Sequence, residues 1–162
     1  MIRILLPCAA LAACSAPVAV SAQPFDPLVF FTGPSRGAGT LKVTLKSPVP
    51  IRVESVGKPD GKGGIVLDQV IREGEKPPRN RRWTLHATSP TTLTGTITDT
   101  PGLVSGRMVD NRLLLNYTMK GGLKAEQVLT LQPGGRSVIN RMIVRKFGLL
   151  VANVEEIITK IN

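Results

Sequence analysis

Few side chains in this sequence could perform covalent or acid–base chemistry, and their spacing narrows what that chemistry could be. His86 is the one histidine among 162 residues. An imidazole acts as a general base only beside a nucleophile and an orienting carboxylate, and the residues around position 86 supply neither. Its alternation with Arg82 and Thr84 puts it on the wet face of a strand. With one histidine, and with Cys8 and Cys14 both near the N-terminus, a zinc site would need three carboxylates or water. Asp68, Asp99 and Asp110 could pair as acid and base, as glycoside hydrolysis requires. Asp99 and Asp110 stand at strand ends, however, where Asp also serves as a turn former. The glycine-rich stretch 33–39 lacks the Lys-Ser/Thr ending of a phosphate loop, and no helix follows it. It reads as a flexible lead into the first long strand. These readings predict no catalytic residue, no metal and no cofactor, and make a hydrolase the least favoured function.

Cys14 is different, because its neighbours give its thiol a role. Residues 4–13 form a short apolar run after Arg3, of signal-peptide length. The run ends in Leu11-Ala12-Ala13-Cys14, which resembles the cleavage box of bacterial lipoproteins. That resemblance implies removal of residues 1–13 and diacylglycerol on Cys14. Ser15 in the next position implies sorting to the outer membrane, facing the periplasm. Two alternatives stay open. Val20-Ser21-Ala22 is an ordinary small-x-small site that would release a soluble periplasmic protein beginning at Gln23. The uncharged run 4–22 could also remain as an anchor, although Pro7 and Pro17 weaken it as a helix. Residues 14–27 read as a tether and 28–162 as the folded domain, which holds no cysteine and so no disulfide.

Two further sets of side chains could bind rather than react. Trp83 and Leu85, with Leu113, Leu115, Tyr117 and Met119, alternate with polar neighbours and are expected to point inward. They would form either a filled core or the wall of a cavity for an apolar ligand. Basic residues cluster twice, as Arg72, Lys76, Arg79, Arg81 and Arg82 and, with Arg136, as Arg141, Arg145 and Lys146. Twenty-one Lys and Arg against eleven Asp and Glu leave a net charge of +10. A solvated face explains such clusters, and so does attraction to anionic lipid headgroups. Nucleic acid is not the expected partner. Export removes it, and Trp83 and Tyr117 are too few for a stacking platform.

The elements that must carry these residues are short strands. Alternation is unbroken at 41–46 and returns at 51–54 and 82–87, with a further strand at 65–72. It then continues in segments separated by Gly, Pro, Asp and Asn clusters every 8–12 residues or so, the pattern of an antiparallel barrel or sandwich. The C-terminal segment is ambiguous. Leu150, Val154, Ile157 and Ile161 recur at helical spacing, while the density of Val and Ile favours a closing strand. The expected fold is all-β, an antiparallel barrel of about 8–10 short strands.

The layout is similar to a family of bacterial envelope proteins of unknown function. The resemblance rests on Phe30-Phe31-Thr32-Gly33 with Gly39, Arg82-Trp83-Thr84-Leu85, Gly95 with Asp99 and Gly102, and residues 111–117. It extends to Asn140-Arg141-Met142, Lys146-Phe147-Gly148 and Val154-Glu155. The chain departs from the family pattern at Thr130-Leu131-Gln132-Pro133, where an acidic, Trp-bearing stretch is expected. The resemblance implies a lipocalin-like barrel and an envelope address, but no activity. The reading that follows is an envelope-anchored binding protein for an apolar or amphiphilic, lipid-like molecule. The alternative is an accessory protein with a solid barrel, whose basic face meets anionic lipid or a protein partner.

Overall fold

A computed structural model describes residues 24–161. The predicted signal segment, its cleavage sites and Cys14 lie outside the described residues. A five-residue helix, α1 (Pro27–Phe31), precedes ten strands: β1 (Gly33–Val43), β2 (Val49–Pro59), β3 (Gly64–Glu73), β4 (Arg79–Ser89), β5 (Thr92–Ile97), β6 (Val104–Val109), β7 (Arg112–Met119), β8 (Leu123–Leu131), β9 (Ser137–Lys146) and β10 (Leu149–Lys160). Every strand pairs antiparallel with its neighbours in sequence, and β10 pairs with β1, so the sheet closes on itself. Closure satisfies the backbone of both terminal strands and leaves no edge open to aggregation. The expected all-β barrel is what forms.

The local reason is period-two patterning on β-branched and aromatic residues. In β2, Ile51, Val53, Ser55 and Gly57 turn inward, while Arg52, Glu54 and Val56 turn out. Charged residues dominate the outward face, with Asp68 opposite Arg82 across β3–β4 and Glu155 opposite Arg141 across β9–β10. A membrane-spanning barrel has the reverse arrangement, an apolar outside, so this one faces water. Among the described residues no helix is long and apolar enough to cross a membrane.

One open alternative is decided and three expectations change. The C-terminal segment is β10, a strand: Val154 and Ile158 are buried while Ile157 is 57% exposed, so its period is two and not that of a helix. Residues 33–39 are strand too, forming the first half of β1 rather than a flexible lead. Leu45, which the alternation of 41–46 would turn inward, is 99% exposed at the tip of the β1–β2 hairpin, because β1 ends at Val43. The tether ends before residue 27. Phe25 and Pro27 are buried, and the Asp26 carboxylate caps α1 by accepting from the amides of Leu28 and Val29.

That helix makes the two ends of the barrel unlike. At one end α1 lies over the interior and brings Phe25, Phe30 and Phe31 into the main core. Phe30 meets Phe25 and Phe31 edge-on at 5.7 and 4.9 Å. The Lys160 ammonium donates to the carbonyls of Val29, Phe30 and Thr32, satisfying the helix's C-terminal acceptors. A Cβ on Gly57 would lie 1.9 Å from the Phe31 carbonyl oxygen, so glycine is what lets the plug seat against β2. The opposite end is formed by the loops β1–β2, β3–β4, β5–β6, β7–β8 and β9–β10; among the described residues no α-helix covers it, and the β7–β8 loop is a single 3-10 turn, Lys120–Gly122.

Candidate ligand-binding site

A barrel of about eight strands is just filled by its own side chains, and one of ten is wider. Here the surplus width is partly taken by the aromatic plug, and the rest is a cavity of about 410 Å³. Its volume lies within the ~300–1,000 Å³ of small-molecule sites. Five of the six residues expected to point inward line it: Trp83, Leu85, Leu113, Leu115 and Met119. Tyr117 points inward as well and is buried, meeting Trp83 edge-on at 5.7 Å. Toward the open end the wall is aliphatic and thioether, with Leu41, Val43, Ile51, Val53, Met142 and Val151. Leu113 and Leu115 also belong to the packed core, at 1% and 4% exposure. The inner set is thus core on one side and cavity wall on the other.

A polar belt crosses this apolar interior at mid-height. On one wall the Tyr117 hydroxyl donates to Gln127 Oε1 (3.1 Å), Gln127 Nε2 to Asn140 Oδ1 (3.0 Å), and Asn140 Nδ2 to Glu156 Oε2 (2.9 Å). On the other, Trp83 Nε1 donates to Gln69 Oε1 (2.8 Å) and Gln69 Nε2 to Ser55 Oγ (3.1 Å). The chain of donors ends on Glu156, whose second oxygen, Oε1, is buried without a partner. Burial pushes this carboxyl above its ordinary range, against the opposing pulls of the Asn140 hydrogen bond and the Arg81 charge. Burial likewise pushes the Tyr117 phenol up to about 12, so it stays a donor. A Cβ on Gly37 would fall 1.7 Å from Glu156 Oε1, so glycine on β1 makes the space the carboxyl occupies.

The belt escapes the sequence reading because it is judged by apolar alternation alone. Gln69, Gln127, Asn140 and Glu156 stand in phase with buried apolar neighbours on their strands. A polar residue at an inward position was the available signal.

The basic residues separate into two kinds. Arg79 and Arg81 line the cavity, Arg79 at its mouth with its side chain 41% exposed. Arg81 Nη2 reaches Asp99 Oδ2 at 2.7 Å, and Arg79 spans Asp99 and Glu73 at 3.2 and 2.7 Å. Arg72, Arg82 and Arg141 are exposed and Arg145 half-buried, but each bonds a carboxylate, of Glu54, Asp68, Glu155 and Glu126 in turn, and Lys76 bonds Glu73. These pairs break up the expected basic face: most of its charges are neutralised locally, and the Arg81 side chain is only 10% exposed. Lys146 lies over the Phe147 ring at 5.7 Å. Asp68 and Asp99 therefore act as ion-pair partners, while Asp110 takes a positive φ of 55° in the β6–β7 turn.

His86 does have a carboxylate partner. Its Nδ1 lies 3.1 Å from Asp60 Oδ2, while Asp60 Oδ1 accepts from the amides of Lys62 and Gly64. The amide of Lys62, the strongest of these influences, helps hold the Asp60 carboxyl below its usual range. The pair ties the β2–β3 turn, which holds Asp60, to His86 on β4, outside the cavity, and the hydrogen bonds of Asp60 shape that turn. Among the described residues no three His, Cys, Asp or Glu side chains converge to hold a metal.

Comparison with known proteins adds a fold and a family. The structure resembles that of an S-type phycobiliprotein lyase, CPES, from Guillardia theta. The TM-score is 0.66 at 9% identity, over 83% of this chain and 90% of that one. At that identity the likeness shows the lipocalin-like barrel alone. No curated protein matches the sequence. A family model does match, over residues 8–160, and the chain belongs to that family, described as protein of unknown function, DUF3833.

Proposed function

We propose that the barrel binds one apolar or amphiphilic, lipid-like molecule, with its chain among the aliphatic residues near the open end and a polar group at the belt. The observation that carries this is the cavity of about 410 Å³, aliphatic toward the open end and crossed by a polar belt that ends on a buried carboxyl oxygen without a partner. An apolar chain gains from leaving water, and a hydroxyl, amide or ester-bearing head could supply the missing bond to Glu156. The solid-barrel alternative loses its main supports, since the interior is hollow and the basic clusters are largely paired. The test is native mass spectrometry on protein purified without detergent, followed by titration with a dansyl-labelled fatty acid. A stoichiometric co-purifying lipid, or saturable one-to-one probe binding that Met142→Trp weakens by tenfold or more, supports the reading. An empty barrel that leaves the probe dark overturns it.

We further infer an envelope address, with lipidated Cys14 holding the protein at the outer membrane on its periplasmic side. Its support is the box Leu11-Ala12-Ala13-Cys14 with Ser15 after it. Labelling with radioactive palmitate that is lost in Cys14→Ala supports it. Processing before Gln23 with no label incorporated refutes it in favour of a soluble form.

A further inference from the structure

The open end of the barrel carries a cluster of apolar side chains that the fold does not bury. Leu45 is 99% exposed, Phe147 93%, Leu149 73% and Leu150 48%. They come from two hairpins, β1–β2 and β9–β10, that stand side by side. The Thr44 amide donates to the Val151 carbonyl at 2.9 Å, and the Thr44 hydroxyl to the Leu150 carbonyl at 2.9 Å. Scattered exposed leucines need no explanation, but a contiguous apolar patch marks an interaction site.

The backbone at the two tips sharpens the point. Leu45 and Phe147 have positive φ, 65° and 50°. Phe147 and Gly148, with φ of 50° and 80°, form the two-residue β9–β10 loop, a geometry that favours Asn-Gly or Asp-Gly. A bulky side chain here strains the backbone and gains no burial within the chain. Retaining large apolar residues at two adjacent strained, exposed tips implies an occupant outside the chain.

Charge identifies that occupant. Residues 41–50 and 143–152 include Lys42, Lys46, Arg145 and Lys146 but no acidic residue. The three lysines are exposed. Apolar tips flanked by lysines match a bilayer surface bearing anionic headgroups, with the tips entering the acyl boundary and the ammonium groups at the phosphates. The patch also continues into the cavity, since Val43 and Val151, next to the tips, line it.

We propose that this end of the barrel docks on an anionic lipid bilayer through Leu45, Phe147, Leu149 and Leu150, with Lys42, Lys46 and Lys146 at the headgroups. The proposal goes beyond ligand binding, because docking needs no molecule in the cavity. It is also separate from any anchor at Cys14. The described chain starts at the opposite end of the barrel, where the Phe25 amide bonds the Asp110 carbonyl in the β6–β7 turn.

The test uses the chain from Gln23, which holds all ten strands, the plug and both core clusters. It is mixed with vesicles of phosphatidylcholine, with and without phosphatidylglycerol, and co-sedimentation is measured. Binding is expected only with phosphatidylglycerol, and Phe147→Trp should show a blue-shifted emission on binding. Each of Lys42→Gln, Lys46→Gln and Lys146→Gln should weaken partition by about fivefold. Leu45→Asp with Phe147→Asp should abolish it, while far-ultraviolet circular dichroism and dansyl-fatty-acid binding persist. Equal binding to both vesicle types overturns the proposal, as does binding that survives the double Asp variant. A concentration-dependent dimer lost in that variant, with no vesicle binding, would assign the patch to a second copy of this chain instead.

Discussion

Two hairpin turns at opposite ends of the barrel begin on residues of nearly the same φ and have opposite chemistry. The β6–β7 turn puts Asp110 at φ 55°, and the β9–β10 turn puts Phe147 at φ 50°. Asp tolerates this conformation, and its turn lies against the plug, where the Asp110 carbonyl accepts from Phe25. Phe does not tolerate it well, and its ring is left 93% exposed. At the closed end aromatic rings are buried and turns are polar; at the open end two adjacent hairpin tips, β1–β2 and β9–β10, are apolar and the interior is hollow. The contrast teaches that barrel stability is concentrated at the plug, which leaves the other end free to carry side chains chosen for something besides folding.

The plug offers the largest break in that comparison. Phe30 is 4% exposed and contacts both Phe25 and Phe31 edge-on. Phe30→Ala should cost about 3–5 kcal/mol, seen as a large drop in the midpoint of thermal or urea unfolding. A loss below about 1 kcal/mol would mean that the plug is dispensable and that the two ends do not differ as argued. Asp26→Ala removes the cap of α1 and should cost less, about 0.5–2 kcal/mol, by the same measurement.

Between the ends, Glu156 sets a pH dependence. Its folded carboxyl is shifted upward from 4.5, so the folded chain keeps a proton that the unfolded chain releases. Stability therefore falls as pH rises from the ordinary glutamate range through the raised value, and that loss persists above it. Glu73 behaves oppositely. Burial would raise it, but Arg79 and Lys76 outweigh burial and hold it below 4.5, so its contribution is lost as pH falls through that lower range. Urea unfolding across pH should show stability declining above the ordinary glutamate range in the natural chain, with a flatter profile in Glu156→Gln. An unchanged slope would show that the carboxyl is not the group paying for burial.

Much of the barrel is readable from residue types because alternation and turn residues are local properties. Leu113, Leu115 and Tyr117 announce their inward face by period two, and the Val and Ile of residues 151–158 favour β10 over the helical spacing. What escapes is set by partners distant in sequence. The strand character of residues 33–39 depends on pairing with β2 on one side and, from Ser35, with β10 on the other, more than a hundred residues away. The pairing of Arg81 with Asp99, and of His86 with Asp60, depends on register across hairpins. The cavity follows from closing ten strands around too little side-chain volume, which no single segment displays. The plug is missed because five residues are too few to show a helical period, although Asp26 before Pro27 is a start signal for a helix.

The smallest expected effect is also the most pointed, because its sign is opposite to that of most substitutions. Phe147→Asn should leave folding intact and raise stability by about 0.5–1 kcal/mol. Asn suits a positive φ at the first position of a two-residue hairpin loop, and almost no buried area is lost with the ring. The counterweight is the Lys146 ammonium over that ring, an exposed contact worth about 0.5–1 kcal/mol at most, so Lys146→Gln in the same background separates the two contributions. A gain in the unfolding midpoint would show that the natural residue is kept at a cost to folding, as expected of an open end shaped for contact. A clear loss would show that Phe147 stabilises the isolated chain, and the distinction between a folding end and a contact end would then fail at its most exposed aromatic residue.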